Sequence, residues 1–161
     1  MPFTPHTPQP APRLWGPFAR VHPRAHRYYP GNDPWKLVDG LILFECGKYG
    51  WDAAPAPGVT VPPWWVDFDF GTPTSIDGIG LWSDGGGGWD VSRFNLATAP
   101  TLAGPWTPVS GPAGFQAQVH DGGLQVFGGF QATAQHWRWN ISTTGGHQPW
   151  VKEVQFRQAL K

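Results

Sequence analysis

The stretch SDGGGGWD, residues 83–90, places four glycines in a row before a tryptophan and an aspartate. A glycine run can cradle a phosphate, but that loop needs Gly-Lys-Ser/Thr and a helix directly after it, and neither follows here. The dinucleotide spacing Gly-x-Gly-x-x-Gly fails too, because Gly78 and Gly80 are followed by Ser83. The run reads as a loop between strands, tipped by Trp89, which such a loop could bring to a ligand. His120 and Asp121 would suit general acid–base work, but adjacent residues in a strand or turn point apart. Cys46 stands beside Glu45 without an obvious histidine base, and His6, His22 and His26 lack regular metal-ligand spacing. These residues give an enzyme no constellation.

A second stretch, HWRWNIS at 136–142, sets two tryptophans two places apart. Period-two alternation puts Trp137, Trp139 and Ile141 on one face of a strand and His136, Arg138 and Asn140 on the other. The tryptophan face is either a surface that grips a ligand or the inside of a fold. Asn140-Ile141-Ser142 matches a glycosylation sequon, but a place within a strand argues against its use.

The elements that must position these residues are strands. The chain has 161 residues, the length of one domain, with 22 Gly, 19 Pro and 11 Trp and only 14% charged residues. Glycine and proline cut a chain into short segments, and tryptophan favours strands. WVDFDFG (65–71) alternates strictly, with Val66, Phe68 and Phe70 against Trp65, Asp67 and Asp69. TPTSIDG then turns a corner. IGLW (79–82), SRFNLATA (92–99), GPWTPV (104–109), GLQVFGGF (123–130), QHWRWNIS (135–142) and VKEVQF (151–156) continue the series. Short strands with frequent turn signals, and no amphipathic helix of useful length, predict an all-β, antiparallel β-sandwich.

Residues 1–34 differ. They carry nine prolines, and Arg13, Arg20, Arg24 and Arg27 without an acidic residue before Asp33. Proline fixes φ and removes a donor, so this segment is expected to be an extended, polyproline-like arm, packed neither as helix nor as strand. It reads either as a free tail or as an anchor on another protein subunit, with Arg13, Trp15, Phe18, Arg20, Arg24 and Arg27 as candidate contacts. The opening MPFTPHTPQPAP has no apolar run of the kind a secretory signal needs, and a lone Cys46 permits no internal disulfide. Both favour synthesis in the cytoplasm. The formal net charge of zero argues against nucleic acid as a partner, and LILF at 41–44 is too short for membrane insertion.

The order of these segments resembles the coagulation-factor type C, or discoidin-like, domain among the galactose-binding-like β-sandwiches. The likeness runs from about Trp35 to Phe156. LVDG (37–40) resembles the family's early Asp-Gly turn, WVDFDFG its Trp-x-x-x-Asp-Leu-Gly strand, and TPTSIDGI (72–79) the segment after it. FNLATAPTLAGPWTPV (94–109) matches the strand, turn and tryptophan that follow, with Trp106 on the tryptophan position. AQHWRWNI (134–141) resembles a late strand, keeping Ala134 and Arg138, and VKEVQF resembles the last, with Glu153. The resemblance implies a jelly-roll sandwich and places Trp137 and Trp139 where the family has core residues.

The resemblance further implies a binding module whose ligands include sugars, phospholipid heads and proteins, with binding loops at one end. A sugar site needs exposed aromatics beside polar groups. The candidates are Trp35, Tyr49, Trp51, Trp64, Trp89 and Trp150, with His147, Asn32 and Arg93 as hydrogen-bonding partners. Packing under a loop, or against a neighbouring subunit, is the alternative for each tryptophan. Many relatives hold a structural calcium near the Asp-Gly turn, which would fall on Asp39 and Glu153. Leu41, standing where an acidic residue often follows that turn, counts against the ion. The expected function is non-catalytic carbohydrate binding and adhesion, carried on a larger assembly such as a bacteriophage virion and facing the exterior. The alternative is a purely structural component of that assembly with no glycan ligand.

Overall fold

Alternation in the sequence becomes a two-layered sandwich. The computed structural model describes residues 9–10, 22–25, 34–38, 41–42, 51–52, 64–83, 85–111, 113–143, 145 and 147–159, with side chains at 36–38 and from 64 onward. In chain order these form β1 (Gln9–Pro10), β2 (His22–Ala25), a 3-10 turn (Pro34–Leu37), β3 (Leu41–Ile42), β4 (Trp51–Asp52) and β5 (Trp64–Ser83). Then come β6 (Val91–Ala99), β7 (Thr107–Pro108), β8 (Phe115–Gln116), β9 (Leu124–Phe127), β10 (Ala132–Thr143) and β11 (Trp150–Gln158).

The 20-residue β5 belongs to both layers. Its first half lies between β2 and β10, and β10 continues the front layer to β6, with β7 and β8 along the far edge. Its second half lies between β11 and β9 in the back layer, and β4 borders β11. The corner expected at TPTSIDG is the bend between the halves. The strand passes from one layer to the other at Ile76, which is opposite both Ala132 of β10 and Gln158 of β11. Gly71, just before the segment, has φ +74° and donates its N–H to Asp69 Oδ1 at 2.8 Å, a φ that only a residue without Cβ adopts without strain. Pairing resumes almost at once, with Thr74, Ser75 and Ile76 opposite Ala134, Thr133 and Ala132.

The layers close on an aromatic core. Phe68 of the front layer meets Phe156 of the back edge-on at 4.8 Å, and Phe94 meets Phe127 at 4.9 Å in the same manner. Trp137 and Trp139 are both fully buried, which settles HWRWNIS as an interior strand. The indole N–H of Trp137 donates to the Ala134 carbonyl at 3.1 Å. Trp64, expected in a loop, opens β5 and is buried in the core. It shares the phase of Val66 and Phe68, so the alternation that fixed its neighbours fixes it too.

The outward row of the front layer carries a bidentate ion pair. Asp67 and Arg138 stand directly opposite each other on β5 and β10. Arg138 Nε and Nη2 donate to the two Asp67 oxygens at 2.6 and 3.0 Å. The guanidinium is layered between the rings of Trp65 and Trp106, at 4.3 and 4.2 Å from their centroids. These covers leave Asp67 fully buried on what would otherwise be the wet face.

The proline-rich segment is not free of strand structure. His22–Ala25 pairs antiparallel with Asp69–Val66, and Gln9–Pro10 pairs with Leu41–Ile42. An extended segment containing proline can join a sheet as an edge strand, where the missing N–H faces away from the ladder. Arg24 stands in register with Asp67 on this edge. Arg13, Trp15, Phe18, Arg20 and Arg27 lie outside the described residues.

Candidate functional site

Three loops meet at one end of the sandwich: residues 85–90 between β5 and β6, 117–123 between β8 and β9, and, between β10 and β11, residues 145 and 147–149. The glycine run packs against both of the others. A Cβ on Gly85 would meet the Gly122 backbone nitrogen at 3.2 Å, one on Gly87 would meet His120 Cε1 at 2.4 Å, and one on Gly88 would meet His147 Cδ2 at 3.2 Å. The glycines are therefore there for close approach as well as for their turns, in which Gly85 and Gly87 have φ +86° and +85°.

Asp90 ties the first two of these loops together. Its buried carboxylate accepts the backbone N–H groups of Gly85 at 2.8 Å, Gly87 at 3.0 Å and His120 at 2.7 Å. Hydrogen bonds to a charged acceptor are the strong ones, and three of them fix loops that composition alone would leave mobile.

On this frame sits an aromatic cluster. The indoles of Trp89 and Trp150 stack at 4.9 Å with 15° between their planes. The Trp150 backbone N–H donates to the Trp89 carbonyl at 3.0 Å, which sets the offset of the rings. His147 lies 5.8 Å from Trp89, and its backbone carbonyl accepts from Thr143 Oγ1 at 2.6 Å. Both indoles are half-buried, and the imidazole is exposed. Flat apolar faces next to an exposed donor–acceptor ring are what a pyranose requires.

The structure thus brings together three of the sequence candidates: Trp89, His147 and Trp150. Trp51 is close to them in register, opposite Val151 on β4, and Trp35 lies in the 3-10 turn; the side chains of both are outside the described residues. Tyr49 and Asn32 are wholly outside them. Arg93 is exposed on strand β6, opposite Ser142 and Gln116, and is not a loop residue. Asp90 and the placement of His120 were missed. The signal available was an aspartate closing a glycine run, because a carboxylate there can collect the N–H groups that a turn leaves unpaired.

Glu153 is buried on β11, in register with Trp82, and Asp39 lies outside the described residues. Among the described residues no three His, Cys, Asp or Glu side chains come together as metal ligands. Glu153 therefore does not by itself make the calcium cage that the resemblance implies, since that ion takes six to eight oxygens.

No family model and no curated protein sequence matches the chain. Solved structures do. The family 32 carbohydrate-binding module of Clostridium perfringens NanJ, in complex with galactose, superposes with a TM-score of 0.67 at 13% identity, covering 87% of this chain and 95% of that one. A family 32 module of a Clostridium perfringens family 89 enzyme, in complex with GalNAc-β-1,3-galactose, gives 0.69 at 14% identity over 88% and 97%. A pectin-binding module gives 0.64 at 16% identity over 96% and 94%. The chain shares with these carbohydrate-binding modules the galactose-binding-like β-sandwich fold.

Proposed function

We propose that this domain binds carbohydrate without catalysing a reaction, and that the sugar ring stacks on the aromatic cluster of Trp89, Trp150 and His147. The observation that carries the reading is the parallel, half-buried indole pair held beside an exposed imidazole at the loop end. The sugars bound by the similar structures, galactose and GalNAc-β-1,3-galactose, support the ligand class. A glycan array probed with the folded protein tests it. Saturable binding to a group of related glycans is expected, and a folded protein that binds none defeats the reading.

The arm and the ion belong to the same proposal. Residues 1–34 carry the module on a larger assembly, such as a virion, for attachment to a surface; their proline- and arginine-rich composition supports this. Size-exclusion and cross-linking with fractions of the source particle would find the arm's partner, and a protein that remains monomeric and unlinked counts against it. A calcium ion at Asp39 and Glu153 would brace the sandwich, and chelation should then lower the melting temperature. An unchanged melt removes the ion.

A further inference from the structure

We infer that His120 forms a second wall of this site, so that the ligand is an oligosaccharide of at least two units; this rests on the carbohydrate-binding reading above. His120 is a non-glycine residue with φ +63°, a left-handed conformation that β-carbon sterics disfavour. Such residues persist where the surroundings hold them, and they concentrate at ligand clamps. Here the hold is visible. The His120 N–H is clamped by Asp90 Oδ2 at 2.7 Å, and its imidazole leans on Gly87 so closely that a Cβ there would stand 2.4 Å from Cε1. The side chain is nevertheless exposed.

His147 leans on the next residue, Gly88. Consecutive Cα atoms are about 3.8 Å apart, which puts the two imidazoles within about 13 Å of each other. Gly87 is buried beneath the His120 ring and Gly88 is half-buried beside His147, so neither adds a side chain of its own between the two imidazoles. A unit linked to a sugar stacked on the Trp89 pair would then come within reach of His120, whose exposed imidazole offers it a ring face and a nitrogen that can donate or accept. Asp90, buried and touching no ligand in this scheme, is the positioning residue that joins the two walls.

The test is a glycan array carrying mono-, di- and trisaccharides with shared terminal sugars, probed with wild type, H120N and W89A. Asparagine tolerates the left-handed conformation, so H120N removes the imidazole and keeps the backbone. H120N should keep monosaccharide binding within about twofold and lose about tenfold or more on the longer ligands, the scale of one lost hydrogen-bonded ring contact. W89A should lose both. H120N matching wild type on every ligand, or losing mono- and oligosaccharides in parallel, overturns the second wall. Wild type binding nothing overturns the carbohydrate reading itself, and the second wall with it.

Discussion

The backbone N–H of Trp150 donates to the carbonyl of Trp89 at 3.0 Å, and their indoles lie stacked 4.9 Å apart. One contact thus joins the glycine loop to the start of the last strand and sets an aromatic platform at the rim. A ring that is half-exposed and held by backbone geometry can be removed without opening the core. W89A is expected to lower stability by about 1–2 kcal/mol, a stacked aromatic pair together with the partial burial of its ring, and to leave the circular dichroism spectrum of the fold intact. A W89A protein that fails to fold would make Trp89 a structural residue.

The buried tryptophans of β10 should behave in the opposite manner. Trp137→Ala and Trp139→Ala each remove a fully buried indole, with an expected cost of about 3–5 kcal/mol. Thermal melts would show it, as a large fall in midpoint or loss of the transition. A normal melt for either variant would contradict the core assignment.

The Asp67–Arg138 pair predicts an asymmetry. R138M removes the bidentate partner of a fully buried carboxylate and is expected to destabilise by about 3 kcal/mol. The double variant D67L/R138M should recover part of that loss, because the buried carboxylate goes with its guanidinium partner. R138K should not restore stability, since an ammonium lacks the fork and the flat face that fit between Trp65 and Trp106. Denaturant titrations of the three variants decide it, and equal losses in the single and double variants would argue against a paired role.

Much of this was legible in the sequence, and the reason is period two. Strict alternation in WVDFDFG and HWRWNIS fixed which residues face inward, and the order of the segments implied the sandwich. What stayed hidden depends on contacts distant in sequence. Nothing in the string places Gly87 under His120 or aims Asp90 at three backbone N–H groups. Trp64 was a different failure: it stood among the loop aromatics, although its phase already placed it inside. The segment His22–Ala25 misled for a related reason, since proline content spoke against a strand while an edge position permits one.

That edge strand carries a prediction of its own. Deleting residues 1–25 uncovers the unpaired backbone of Val66–Asp69, and open edges invite association with other strands. The truncated protein should melt lower than the full chain and form dimers or larger species on size-exclusion chromatography. A monomeric truncation with an unchanged melt would show that β2 contributes little.

The most direct measurement is isothermal titration of wild type and W89A with the glycan that gives the strongest array signal. The account predicts a saturable wild-type isotherm near one ligand per chain, and a loss of tenfold or more in affinity for W89A at a melting temperature within a few degrees of wild type, tenfold being about 1.4 kcal/mol. Equal affinity in the two proteins would contradict it, and would move the sugar away from the Trp89–Trp150 platform.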